Sequence, residues 1–418
     1  MSRVERRIIP ISSGKGGVGK TTVALNYALS LSRHGRTVLI DLDTGTSSIR
    51  SCIDTPVERD LYHFFKKKHP LADCVTGLEA RLDPQGLYKN FGFVASPKHL
   101  IEDITNFTRE RREQLIDAIN GLPANFVVLD LKAGLDASVI EFLPYSNSGL
   151  LVFTPHLPAA TLAAADIVKA ILFRKLRTLF AGGSAVYADL KGLTPRFVND
   201  LIDRVEDVYD SAVPNLDAFV ADLHQGLGDH PVLKLVASAV DTFVVHFVLN
   251  RFDGIRSSYE TAVRPFAQSL AEHVSAHMTI LNMGWVVDSP RVTEASMKRV
   301  PALLQGEPKA HARRTEHGQE ELSKLAAQHL PGKNSRLQKP RAAAAAAARP
   351  DPARYLDLQL DTMRRMFEDM GGANYRENFA YITARSLQVM TSRRNSDFGD
   401  VRLFKTAELA QALHVRGR

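Results

Sequence analysis

The sequence predicts an α/β fold: a mostly parallel sheet with helices on both faces, followed by a small C-terminal helical module. Three observations carry that prediction. Short apolar runs alternate with stretches of helical periodicity, the pattern of strands joined by crossover helices. A glycine-rich turn, Gly14-Lys15-Gly16-Gly17-Val18-Gly19-Lys20-Thr21-Thr22, separates the first apolar run from the first helical one. Past Pro331 the composition shifts to a basic, alanine-rich stretch.

The candidate strands are residues 8–11, 37–40, 126–129, 149–153, 242–249 and 279–287. Between the first two, Leu25, Ala28, Leu29 and Leu31 recur at helical spacing, and Gly35 supplies the stop. Pro10 sits awkwardly in the first strand, because proline removes one ladder donor. Residues 175–241 have a mostly helical pattern, broken at Gly182-Gly183, Pro195 and Pro214, and are expected as an insertion on the rim of the sheet. The expected organisation is a nucleotide domain over 1–331, a linker over 332–353 and a helical module over 354–418. In the linker, Lys333, Arg336, Lys339, Arg341 and Arg349 occur with no acid among them, and residues 342–348 are all alanine. In the module, Leu356, Met363, Met366, Phe367 and Met370 share one face of a helix that Gly371-Gly372 ends, and a final segment runs over 401–415.

Length and composition bound the rest. At 418 residues the chain exceeds one small core and suits a large domain with an appendage. Its 44% hydrophobic and 24% charged residues are ordinary for a soluble globular protein. Residues 1–7 are basic without an apolar h-region, and no run approaches the roughly 20 apolar residues that span a bilayer. No signal peptide is therefore expected, and the expected location is cytoplasmic. Cys52 and Cys74, with no CxxC, speak against a disulfide framework or a cysteine metal motif. A net charge of +7 favours an anionic partner, nucleic acid or acidic lipid, without choosing between them, and a merely basic protein fits equally well.

The glycine turn has the Gly-x-x-x-x-Gly-Lys-Thr spacing of a phosphate loop, in the strand–loop–helix context the motif requires. Its glycines let successive N–H groups point inward at phosphates, and the helix N-terminus adds its dipole. Lys20 is expected to reach the β- and γ-phosphates, and the Thr21 hydroxyl to ligate Mg²⁺.

Lys15 is not needed to cradle phosphate within one subunit. With it, the loop resembles the deviant phosphate loop of the MinD/ParA family of ATPases, Lys-Gly-Gly-x-Gly-Lys-Thr. The resemblance extends from about residue 8 to 331, excluding the insertion. Asp41-Leu42-Asp43-Thr44-Gly45 resembles the family's Asp-x-Asp segment, and Leu129-Asp130-Leu131-Lys132-Ala133-Gly134 its Walker B strand end and second switch. Thr154-Pro155 resembles its proline-containing turn, Asn250-Arg251-Phe252-Asp253 stands where the family reads the base, and residues 284–288 with Pro301 resemble the closing strand and its tail. MinD-like and flagellar-number (FlhG/FleN) ATPases are the nearest branches. The resemblance implies a P-loop NTPase fold, ATP and Mg²⁺, and an ATP-dependent homodimer in which Lys15 reaches the partner's nucleotide. It also implies an activating protein partner, and DNA or an anionic membrane as the surface acted on, hence a peripheral place at the inner membrane or nucleoid.

Roles follow from phosphoryl transfer, which is mostly positioning and charge neutralisation. The expected phosphate-site residues are Gly14 through Thr22, and the resemblance implies that Gly134 senses the γ-phosphate and Asn250 lies at the base. Thr21, Asp43 and Asp130 are the Mg²⁺ residues, Asp130 through a bound water. Lys15, Lys20 and Asp43 are the catalytic set, Asp43 orienting the attacking water. Asp41 either supports the loop or acts directly. Lys132 and Ser48 depart from the family pattern, and Lys132 adds charge to the transition state, hinders loop closure or faces solvent. Asn250 with Asp253 also mimics a guanine-recognition pair. Asp222, His224, Asp229 and His230 lack tight ligand spacing and are expected as solvated loop residues. The segment 401–415 is expected as a partner-docking helix or, less simply, a lipid anchor. A kinase or ligase of the same superfamily and a non-hydrolysing scaffold are the competing functions.

Overall fold

The computed structural model describes residues 6–43, 48–98, 108–135, 140–144, 146–181, 194–206, 214–228, 230–305, 352–370, 374–391, 398–405 and 408. Eight strands form one sheet: β1 (Arg7–Ser12), β2 (Thr37–Asp41), β3 (Thr76–Gly77), β4 (Phe91–Val94), β5 (Phe126–Asp130), β6 (Asn147–Phe153), β7 (Val244–Phe252) and β8 (Thr279–Val287). Their spatial order is β3-β4-β2-β5-β1-β6-β7-β8, parallel throughout except that β3 runs antiparallel to β4. The predicted mostly parallel sheet is present. The sequence pattern passes over β4, whose four residues include Gly92 and leave too short a run to stand out.

In chain order the helices are α1 (Lys20–Ser32), α2 (Ser48–Cys52), α3 (Leu61–Lys67), α4 (Arg109–Gly121), α5 (Pro158–Leu179), α6 (Thr194–Glu206), α7 (Leu216–Leu227), α8 (Pro231–Asp241), α9 (Ile255–Ser258), α10 (Arg264–His273), α11 (Pro290–Met297), α12 (Pro352–Met370) and α13 (Tyr375–Thr391). Successive strand residues point to opposite faces, so the sheet feeds two cores. Ile8, Val127, Leu129, Phe153 and Phe247 enter the core closed by α4, α5 and α10. Ile9, Ile11, Leu39, Val128 and Val152 enter the one closed by α1 and α13. The helical insertion is α6 to α8, packed over α5. Since α5 runs on to Leu179, the insertion begins after that helix and not at 175. Gly182-Gly183 lies outside the described residues.

Pro10 has a specific accommodation. Ile8 N–H donates to the Asp400 carbonyl (2.8 Å), and alternate N–H groups of a strand face the same neighbour. The donor missing at Pro10 therefore faces β6. There the β1–β6 ladder starts only at Ile11. Just before it Gly149, at φ 63°, passes so close that a Cβ would lie 2.6 Å from the Pro10 carbonyl oxygen.

The C-terminal helices depart from the expected separate module. α13 lies against β8 and against the outer side of α1. Thr383 Oγ1 donates to Ser30 Oγ (2.8 Å), Ser30 Oγ to the Phe379 carbonyl (3.3 Å), Val287 N to Asn378 Oδ1 (3.1 Å) and Arg376 Nη1 to the Leu303 carbonyl (3.1 Å). α12 sinks Met363 and Met366 into the core shared with α10. Farther on, Leu403 exchanges two backbone hydrogen bonds with the Asn120 side chain (2.9 and 3.0 Å). The cause lies in α1, which is buried along almost its whole length and needs cover on its outer side. The expected linker lies outside the described residues, apart from Pro352 and Ala353 at the start of α12, as do Gly371-Gly372 and the expected helix beyond residue 408. No helix among the described residues is long and apolar enough to cross a membrane.

Candidate functional site

The glycine loop lies between β1 and α1, at the carboxyl ends of the parallel strands, where open α/β sheets present their ligand crevice. Gly17 and Gly19 both adopt φ 82°. At Gly19, the residue before α1, a Cβ would lie 2.2 Å from the Asn250 amide nitrogen, so only glycine fits. Lys15, Gly16 and Gly17 are exposed, Gly14, Gly19, Thr21 and Thr22 are half-buried, and Val18 is buried. The loop is open outward in its first half and anchored in its second. Ser13 Oγ steadies the start by donating to the Lys15 carbonyl (3.0 Å).

The two loop lysines differ sharply. Lys20 is only 6% exposed and its ammonium pairs with Asp130 Oδ1. Asp130 ends β5, is fully buried, and its Oδ2 has no hydrogen-bond partner among the described residues. Asp41, at the end of β2, is in register with Asp130. It accepts from Asp43 N (3.1 Å) through Oδ1, and from Ile49 N (3.1 Å) and Ser96 Oγ (3.0 Å) through Oδ2. Burial, then the negative charge of Asp130, push the Asp41 carboxyl up to about 7, against the pull of the Ile49 N–H and Lys20. With both oxygens committed, Asp41 holds the backbone of Asp43 and the first turn of α2. Asp43 itself is half-buried. Thr44-Gly45 and the Ser48 side chain lie outside the described residues.

Among the described residues, no three or more His, Cys, Asp or Glu side chains gather into a metal cage. Mg²⁺ does not require one, since it keeps several waters and takes one or two protein oxygens beside phosphate. The unpartnered Asp130 Oδ2 and the half-buried Thr21 hydroxyl are oxygens of that kind, so the residues present fit it.

Gly134, at φ 94°, donates its N–H to the Ser13 carbonyl (2.9 Å), which brings the segment after β5 onto the loop. Lys132 beside it is half-buried. Asn250, buried near the end of β7, donates from Nδ2 to the Val18 carbonyl (2.8 Å). Asp253 is occupied elsewhere, accepting from Ser257 Oγ (2.8 Å) and Ser258 Oγ (2.9 Å) at the start of α9. The guanine-like pair is thus divided: Asn250 braces the loop, and Asp253 holds two serine hydroxyls of α9. In the insertion, His230 Nδ1 caps α8 by accepting from Val232 N (3.2 Å), and Asp229 lies outside the described residues. Ser96 is the site residue that sequence reasoning missed. It follows β4, and its bond to Asp41 becomes visible only once β4 is placed beside β2.

A parallel sheet with a glycine loop leading into a helix, a buried lysine at its end and two carboxylates on adjacent strand ends define a P-loop nucleotide-binding protein. A family model described as an AAA domain matches residues 6–172. A putative septum site-determining protein MinD of Tupiella akineta is 30% identical over 232 residues, covering 53% of this chain and 68% of that protein. The corresponding protein of Chlorella vulgaris is 34% identical over 158 residues, covering 37% and 52%. The flagellum site-determining protein YlxH of Helicobacter pylori is 28% identical over 165 residues, covering 38% and 52%. Apart from the Tupiella protein, the chain spans about half the length of these relatives. The solved structure of the septum site-determining protein MinD complexed with Mg-ADP, from Pyrococcus horikoshii OT3, aligns over 73% of this chain and 90% of its own, at 16% identity and a TM-score of 0.42. This chain belongs to the MinD/ParA family.

Proposed function

We propose that the chain is an ATP-binding and ATP-hydrolysing dimerisation switch, acting in intracellular positioning. The observation that carries this reading is the division between the loop lysines: Lys20 is buried on Asp130, whereas Lys15 is exposed on the loop's outward side. Lys20 neutralises the β- and γ-phosphates, and the N–H groups of the loop hold their oxygens. Thr21, with Asp130 through a bound water and Asp43 at its shell, would hold Mg²⁺, which would supply charge neutralisation at the phosphates. Asp43, its backbone fixed by Asp41, orients the attacking water, and Gly134 moves from the Ser13 carbonyl toward the γ-phosphate. Lys15, exposed on the loop, would serve a partner's nucleotide. ATP then drives homodimerisation, a protein partner stimulates hydrolysis, and the basic chain acts at an anionic surface, DNA or membrane, from a cytoplasmic pool.

The test is gel filtration with ATP and Mg²⁺, then co-sedimentation with DNA and with anionic vesicles. Asp43→Ala should bind ATP and form a dimer that persists, with phosphate release lowered by at least about 100-fold, because little else near β2 can align the water. A variant that hydrolyses at the parental rate removes Asp43 from the site. A parent that stays monomeric with ATP refutes the switch.

A further inference from the structure

We propose that Arg50 is a positioning residue for ATP hydrolysis, which holds the backbone of Asp43 in place through a closed ring of hydrogen bonds and acts on turnover, not on nucleotide binding. The inference rests on the switch reading above and adds a residue to its hydrolytic half. α2 has five residues, too few to hold a helix alone, so contacts elsewhere must place it. Arg50 makes three of them. Its Nε donates to the Ser96 carbonyl (3.3 Å), its Nη2 to Asp60 Oδ2 (2.6 Å), and its carbonyl accepts from Arg299 Nη2 (2.9 Å). The first of these closes a ring. Asp41 Oδ2 accepts from Ile49 N and from Ser96 Oγ, Ile49 leads along the chain to Arg50, and Arg50 returns to Ser96. The other oxygen of Asp41, Oδ1, leads out of the ring to Asp43 N (3.1 Å).

Burial and geometry make each link specific. Asp41 and Ser96 are fully buried and Asp60 is 6% exposed, so water is a poor substitute for a lost partner. Asp60 caps α3 by accepting from Tyr62 N through Oδ1 (3.0 Å), which leaves Oδ2 for the guanidinium and fixes where it sits. Ser96 and Asp60 are themselves tied together, since Leu61 N donates to the Ala95 carbonyl (3.1 Å). A guanidinium is a planar fork that meets both acceptors at once, whereas an ammonium is a point charge. Arg50 therefore fastens the first turn of α2, and with it the Asp41 carboxylate, to the corner between β4 and α3. Its partners Ser96, Asp60 and Arg299 all lie outside the glycine loop, so the phosphate cradle does not depend on it.

The experiment measures ATP dissociation constants and single-turnover phosphate release, both with Mg²⁺, in the parent, Arg50→Ala, Arg50→Lys, Asp60→Asn and Asp43→Ala. Arg50→Ala combined with Asp43→Ala completes the set. Thermal unfolding checks that each variant is folded, and Asp60→Asn, which keeps a good helix cap, carries the test if Arg50→Ala does not fold. Arg50→Ala should release phosphate at least about tenfold more slowly than the parent, the size of a small misplacement of the attacking water. Its ATP dissociation constant should stay within about twofold, the mark of a residue felt only in turnover. Asp60→Asn should show the same split, and Arg50→Lys should recover only part of the rate. In the Asp43→Ala background Arg50→Ala should cost nothing further, because the residue through which it acts is gone. Amide exchange of Asp43 and Ile49 should quicken in Arg50→Ala without nucleotide. Parental turnover in Arg50→Ala, an equal loss of ATP affinity, or a full further loss on top of Asp43→Ala overturns the proposal and leaves Arg50 a structural tie. Parental turnover in Asp43→Ala overturns the Asp43 assignment and this inference with it, and a parent that hydrolyses no ATP overturns the switch reading itself.

Discussion

The span that matches the family model, residues 6–172, and the C-terminal helices α12 and α13 meet around the same sheet but are held by different means. In the first, runs of consecutive buried apolar residues, such as Phe126-Val127-Val128-Leu129, form strands filled from both faces. In the second, buried apolar side chains such as Met363, Phe379 and Ile382 are joined by polar ties between distant parts of the chain: Thr383 to Ser30, Asn378 to Val287, Leu403 to Asn120. Apolar runs build the frame that carries the loop. Polar pairs fix one particular helix over the outside of α1, where an apolar patch alone would accept many docking angles.

The sharpest way to break this comparison is to delete residues 352–418. α13 buries Phe379, Ile382 and Val389, each worth about 1.5–3 kcal/mol, against a total domain stability of about 5–15 kcal/mol. The truncated chain should lose its cooperative unfolding transition and with it ATP binding, measured by circular dichroism and equilibrium binding. Parental ATP affinity in the truncated chain would make the helices an accessory module, as the sequence pattern alone suggests.

Next in size is Lys20→Ala. Removing the ammonium leaves Asp130 buried beside Asp41 without its counter-charge, a loss of about 3–5 kcal/mol on top of abolished nucleotide binding. Lys20→Ala with Asp130→Asn should recover most of the stability but none of the binding. Denaturant midpoints of the two variants decide it. Equal midpoints would mean that the pair does not carry the burial that the structure gives it.

Much of the nucleotide half is legible in the sequence because its signals are local. The glycine spacing fixes the loop, and the apolar run before Asp130 fixes that carboxylate at a strand end. What escaped depends on contacts between distant segments. Ser96 follows a strand too short to recognise, and the bond from Asn250 on β7 to the Val18 carbonyl joins residues 232 positions apart. The separate tail was expected because its linker is basic and alanine-rich, but a linker's composition says nothing about where the next helix docks. One clue was available: Asn26 and Ser30 are polar positions inside the buried α1, and both bond to elements that cover it, Asn26 through the Leu303 N–H (2.9 Å).

A smaller effect probes the seam between the two regions by pH. His246 on β7 is buried against the Phe398 ring, and neither ring nitrogen has a hydrogen-bond partner among the described residues. Burial, then the positive charge of Arg385 on α13, push its pKa down to about 3. The unfolded chain binds this proton below about 6.5, while the folded one refuses it. The stabilisation is therefore complete above pH 6.5 and is lost as pH falls toward 3. Between pH 7 and pH 5 the parent should lose about 2 kcal/mol more than His246→Phe, read from urea unfolding at both values. Identical losses would mean that the imidazole stays hydrated and the seam is open.

The smallest expected effect on affinity is that of Lys15→Ala, and it tests the nucleotide half against itself. Lys15 is exposed, and the hydrogen bond at this residue, from Ser13 Oγ, uses its backbone carbonyl, which alanine keeps. An exposed charge contributes little to a site in its own subunit, on the order of 0–1 kcal/mol. Monomer affinity for ATP should therefore stay within about fivefold of the parent, the most that such an energy allows. Hydrolysis should fall only in the concentration range where the parent dimerises, because there the lysine acts on the other subunit's phosphates. Mixing Lys15→Ala with Asp43→Ala sharpens the point. A mixed dimer keeps one site with its own Asp43 and a lysine from across, so activity should partly return. No recovery on mixing, together with a monomer affinity lowered as far as in Lys20→Ala, would place Lys15 in its own subunit's site.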